Sequence, residues 1–154
     1  MKYWLLKSEP STYGIDDLAK YKTTAWTGVR NYQARNFMRD EMHSGDRVFF
    51  YHSSCAVPGI AGIAEVGGPA YPDETQFDRK SPQFDSAATR KQPRWFNVNV
   101  KFVKKTRTVG LDELRAQKAL KNMRVLQRGN RLSITPVTKA EWECIIGLLD
   151  EPEG

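Results

Sequence analysis

Cysteine and histidine are scarce, with two of each in 154 residues. Cys55 and Cys144 lie far apart, outside any C-x-x-C or Cys/His spacing, which excludes a disulfide framework and a zinc site and fits a reducing compartment. No run of apolar residues is long: the N-terminal Tyr3-Trp4-Leu5-Leu6 is closed by Lys7 and Glu9, too short for a signal peptide or a membrane span. The expectation is a cytoplasmic protein that does not engage membranes. Phosphate-binding glycine loops, dinucleotide fingerprints, metal-ligand spacings, internal repeats and low-complexity tracts are also missing, and the acidic residues form no evident pair. No cofactor and no metal are expected.

What is present is one domain's worth of chain, read as a single domain over residues 1–150 with a tail at 151–154. The net charge of +6 is uneven. Between Lys101 and Arg131 stand ten basic residues, among them Lys104, Lys105, Arg128 and Arg131, against Asp112 and Glu113, a local charge of +8. Such a segment is the footprint of a polyanion partner or of a solvated basic face.

Hydrophobic periodicity places a short strand at Tyr3–Leu6 and helices at Ile15–Tyr21 and Asn31–Met42. Continuous β-forming residues mark Arg47–His52. Gly59–Val66 reads as a strand whose Gly59 and Gly62 suggest a bulge or a close backbone approach. From Gly67 to Arg94 neither period is visible and prolines recur, which reads as a structured excursion, of the kind that serves as a lid or binding element, and not as a linker. Strict alternation from Trp95 to Val103 marks another strand, a short helix opens at Leu111, and Leu120, Met123 and Leu126 continue a helical pattern. Thr138 and Glu141 form a capping box ahead of Trp142, Ile145, Ile146 and Leu149 at helical spacing.

The densest polar chemistry runs from Thr24 to Asn36. Trp26 offers a stacking face, Asn31 a paired donor and acceptor, and Arg30, Arg35 and Arg39 charge suited to phosphate. Lys7-Ser8-Glu9, closing the first strand, is a pocket-lining candidate if the sheet curls. Trp26 and Trp95 each stand at an element boundary, where two facing rings would cage a planar base. His52, Ser53, Ser54 and Cys55 carry the residue types of a nucleophile and its base, but neighbours in an extended run point to opposite faces and do not make a working dyad.

Ordered blocks along the chain carry a resemblance. Tyr-Trp-Leu-Leu-Lys-Ser-Glu-Pro at 3–10, Trp-Thr-Gly-Val-Arg-Asn-Tyr-Gln-Ala-Arg-Asn at 26–36, Gly-Asp-Arg-Val-Phe-Phe-Tyr-His-Ser at 45–53 and Pro-Gly-Ile-Ala-Gly-Ile-Ala-Glu-Val at 58–66 resemble the EVE domain. So do Ala-Tyr-Pro-Asp at 70–73, Pro-Arg-Trp at 93–95 and Arg-Leu-Ser-Ile-Thr-Pro-Val at 131–137. The resemblance implies an α+β fold of the PUA-like class, a compact mixed β-barrel of about five or six strands surrounded by short helices. It also implies kinship with YTH domains, which hold methylated adenine between tryptophans, although Gly28-Val29-Arg30-Asn31 departs from the YTH pattern.

The implied function is non-enzymatic recognition of a flipped, modified base, modified cytosine in DNA more than RNA, by a monomer. The implied base pocket comprises Lys7, Ser8, Glu9, Trp26, Val29, Asn31, Tyr51, His52, Ser53 and Trp95. Arg30, Arg35, Arg39, Lys104 and Lys105 are the implied phosphate contacts. The alternative is a small-molecule pocket, or a hydrolase or transferase site, on the same fold.

Overall fold

The computed structural model describes residues 1–127 and 132–150. The expected tail at 151–154 and the basic residues Arg128 and Arg131 lie outside the described residues. Six strands form a curled mixed sheet in the order β2, β7, β4, β3, β1, β8. They span Tyr3–Ser8 (β1), Thr23–Ala25 (β2), Arg47–His52 (β3), Gly59–Val66 (β4), Asn99–Gly110 (β7) and Ile134–Val137 (β8). Among the described strands only β1 and β3 run parallel, Tyr3 opposite Arg47 through to Ser8 opposite His52. Two short strands, β5 (Tyr71–Pro72) and β6 (Phe96–Asn97), make a separate ribbon.

The continuous apolar runs in β1 and β3 follow from burial on both faces. Trp4, Leu6, Val48 and Phe50 face one core, completed by Ile15 and Leu18 of α1 (Ile15–Tyr21) and by Ala34, Phe37 and Met38. Leu5, Phe49 and Tyr51 face a second core, closed by Trp142, Ile145 and Leu148 of α4 (Lys139–Leu149). There Trp142 stacks on Phe49 with centroids 3.9 Å apart. The capping box read from sequence forms as expected: Thr138 Oγ1 accepts from the Glu141 N–H at 3.1 Å, and Glu141 Oε1 from the Thr138 N–H at 2.9 Å.

Three local readings change. The helix expected over Asn31–Met42 begins one residue later as α2 (Tyr32–Asn36) and widens into a π turn at Phe37–Glu41, closed by Met42 N–H to Phe37 O at 2.8 Å. The alternating strand expected at Trp95–Val103 is two strands, because the chain leaves the β5 ribbon after Asn97 and joins β4 and β2 from Asn99. The pattern at Leu120, Met123 and Leu126 is two separate 3-10 turns, at Lys118–Leu120 and Arg124–Leu126, beyond α3 (Leu111–Arg115). No helix among the described residues is long and apolar enough to cross a membrane.

The glycines of β4 do what the sequence suggested. Register shifts interrupt the β4–β7 ladder around Gly62. A Cβ at Gly62 would strike the Ile15 side chain and stand 2.8 Å from Lys104 O. Gly62→Ala is therefore expected to overpack the α1–sheet contact and to lower the unfolding free energy by about 1–3 kcal/mol, read from urea denaturation.

Candidate functional site

Where β1 ends and the chain turns out of β2, an open cleft of about 650 Å³ is lined by Lys7, Ser8 and Glu9 on one side and by Trp26, Gly28, Val29, Arg30 and Asn31 on the other. Thr12, Tyr13, Thr24, Ala25, Thr27, Gln83 and Ser133 complete its wall. Trp26 is held edge-on to Phe50, centroids 5.8 Å apart, and its backbone N–H donates to Val98 O at 2.9 Å. Its indole is half-buried against the first core and offers its remaining surface to the cleft. Ser8 Oγ donates to Tyr13 O at 2.5 Å, tying the strand end to the following turn.

A buried carboxylate sets the shape of the opposite wall. Asp73 is fully buried, and it accepts from the Gly28 N–H at 2.8 Å, the Thr75 N–H at 2.9 Å, Thr75 Oγ1 at 2.6 Å and Arg30 Nη1 at 3.3 Å. Burial by itself raises a carboxyl pKa, but these donors outweigh it and hold Asp73 below the usual carboxylate range. Arg30 completes the clip: its other N–H groups reach Val29 O, Thr75 Oγ1 and, through Nε and Nη2, Gln83 O. The guanidinium also lies over the Trp95 ring, 5.3 Å from its centroid. Every N–H of Arg30 is thus engaged within the protein, so it positions the wall and is not available to a phosphate.

The remaining residues expected in the pocket do not line the cleft. Tyr51 points the other way, with Leu5 and Phe49 into the second core, as alternation along β3 requires, and burial raises its phenol pKa. His52 is spent on local structure: Nε2 accepts the Ile15 N–H at 3.1 Å at the start of α1. Ser53 is not part of the lining, and its N–H donates to Ser8 O at 2.9 Å. Trp95 is buried under Tyr32, ring centroids 4.9 Å apart, and its indole N–H donates to Asp85 at 2.7 Å. It stiffens the excursion, and among the described residues no tryptophan faces Trp26 across the cleft. The second aromatic residue of the lining is Tyr13.

The cations differ in what they can release. Lys7 is half-buried in the lining and burial lowers its pKa, while no carboxylate among the described residues pairs with it. Arg35 donates to Arg94 O and Asn36 Oδ1 and packs on Tyr32, and burial lowers its pKa, with Arg39 adding to the effect. Arg39 is exposed and paired with Asp40 at 2.8 Å. Lys104 and Lys105 pair at the surface with Asp150 and Asp16. Asn31 caps α2 through Oδ1, accepting the Ala34 N–H at 3.0 Å, which leaves its amide N–H groups for the cleft.

A curled mixed sheet, packed on both faces by short helices and open at a strand-end cleft, defines an α+β domain of the PUA-like class. The EVE domain family model matches residues 2–148, and the chain belongs to that family. Thymocyte nuclear protein 1 of Gallus gallus is 45% identical, over 97% of this chain and 69% of its own length. The crystal structure of human THYN1 protein in complex with 5-methylcytosine containing DNA superposes with a TM-score of 0.91 at 40% identity, covering 99% of this chain and all of that one. A protein of Pseudomonas syringae gives a TM-score of 0.90 at 46% identity over 95% of this chain and 98% of its own.

The His52 bond to α1 needs an unprotonated Nε2, and burial lowers the imidazole pKa, with Asp16 opposing and Lys105 reinforcing. The unfolded chain therefore binds more protons between the folded pKa and the ordinary value near 6.5, so stability falls as pH drops through that window and levels off below it. Urea midpoints at about pH 7.5 and about pH 5 should differ less in His52→Gln, whose amide oxygen accepts without titrating.

Proposed function

We propose that this chain binds DNA carrying a modified cytosine, holding the extruded base in the cleft on the face of Trp26 without altering it chemically. The observation that carries the reading is the cleft itself: an accessible indole opposed by a half-buried lysine that lacks an anionic partner among the described residues. Its whole-chain likeness to a protein solved with 5-methylcytosine containing DNA supports the same ligand class.

Extruding a base costs a few kcal/mol of stacking and pairing, and stacking on an aromatic side chain returns about 1–3 kcal/mol per base. Hydrogen bonds to the base edge must supply the remainder. A buried methyl group contributes only about 0.8 kcal/mol, so preference for a modified base comes from shape and polar matching in the cleft. Lys7, Ser8, Glu9, Val29 and Asn31 provide that matching beside Trp26.

The backbone is contacted by Arg39, Lys104 and Lys105, whose exposed ion pairs are worth about 0–1 kcal/mol each and exchange readily for phosphate. Arg35 adds charge beside the rim. A binding role without catalysis agrees with the engagement of His52 Nε2 by α1, which leaves Ser53, Ser54 and Cys55 without that imidazole as a base.

Trp26→Ala should lower affinity for a duplex with a single 5-methylcytosine by about tenfold or more while the far-ultraviolet circular dichroism is retained. Undiminished affinity and undiminished preference over the unmodified duplex, read by fluorescence anisotropy at fixed salt, would contradict the reading.

A further inference from the structure

A base stacked on Trp26 buries its polar edge, and each edge atom left without a partner costs about 1–3 kcal/mol. The amino group of cytosine needs an acceptor, and the ring nitrogen beside it needs a donor. The charged groups, Asn31 and Ser8 cannot serve both, and a hydroxyl such as that of Tyr13, which has no partner among the described residues, presents one atom, not a donor and an acceptor side by side. Arg30 is fully engaged, Asn31 has its oxygen committed to the Ala34 N–H, Ser8 donates to Tyr13 O, and Lys7 only donates. Glu9 only accepts, and it sits exposed in solvent.

Gln83 is different. It reaches the cleft from the excursion, and its carboxamide makes no hydrogen bond among the described residues, although its backbone is firmly held. Its carbonyl takes two bonds from Arg30, at 2.7 and 3.2 Å, and its N–H donates to Ser81 Oγ at 3.0 Å. The carboxamide lies against Gly28, where φ is +81°, and a Cβ there would come within 3.5 Å of its Cδ. A free donor and a free acceptor are thus presented side by side from a fixed backbone, two residues along the wall from Trp26.

Resting on the reading above, we infer that Gln83 is a specificity-determining residue whose carboxamide pairs with the amino group and ring nitrogen of the extruded cytosine. The base edge is thereby read by the excursion, while the β2–α2 wall supplies the stacking surface. The Arg30 clip fixes the backbone from which the carboxamide reaches. Gly28, whose positive φ suits glycine, packs against the carboxamide.

A cycle of protein and ligand variants tests this. Affinity is measured for three duplexes, with a single 5-methylcytosine, with cytosine, or with 5-methylpyrimidin-2-one at that site, the last lacking only the amino group of 5-methylcytosine. Differences in duplex pairing are common to all proteins and cancel. The change in affinity on removal of the amino group should be about tenfold less favourable for the wild-type protein than for Gln83→Leu. Gln83→Glu keeps the acceptor oxygen and should keep the wild-type change. The same change in Gln83→Leu as in the wild-type protein overturns the role of Gln83 even though binding of the modified base stands. If the wild-type protein fails to prefer 5-methylcytosine over cytosine, the functional reading itself fails, and this inference with it.

Discussion

The buried carboxylate of Asp73 is the constraint on which the site depends. It draws the Gly28 N–H, the Arg30 guanidinium and both donors of Thr75 to one point, and so joins the wall after β2 to a segment more than forty residues further along. Removing one partner of a buried ion pair costs about 3–5 kcal/mol, because the other charge is stranded. The pair is therefore poor material for simple stabilisation but effective for fixing one arrangement. Gln76 extends it, donating to Asp73 O and Trp95 O and accepting from the Arg94 and Trp95 N–H groups.

The sheet supplies the other half of the frame. Its β1 and β3 strands are buried on both faces, and the first core reaches to the back of Trp26. This leaves the indole supported from behind and open in front. The strand ends, where ladders stop and side chains meet solvent, then deliver Lys7, Ser8 and Glu9 to the same opening.

Elements specified by nearby residues were legible in the sequence. The last helix has its cap and its apolar spacing within a dozen residues, and the close approach at Gly62 follows from a missing side chain inside a strand. Strand β2, three residues of Thr-Thr-Ala, has no pattern of its own and exists through pairing with β7. Of the cleft lining, Trp26 and the end of β1 were readable. Tyr51 was misplaced because a run that is apolar on every residue does not reveal which face meets the cleft. Trp95 and Arg30 were misassigned for a related reason: residue type announced a ring and a charge, and only contacts across long sequence separations, with Asp85, Asp73 and Gln83, show that both are committed internally. Gln83 and Tyr13 sit in segments without period, where no local signal marks them.

Preorganisation connects this frame to binding. A cleft whose wall and excursion are one rigid unit loses little conformational entropy when a base enters. The most direct test of that unity is amide hydrogen exchange at Gly28, compared between the wild-type protein and Arg30→Lys, which retains the charge but lacks the forked donors. The account predicts that Gly28 exchanges markedly faster in the variant while the amides of β3 and α4 do not. Unchanged protection at Gly28 would contradict it.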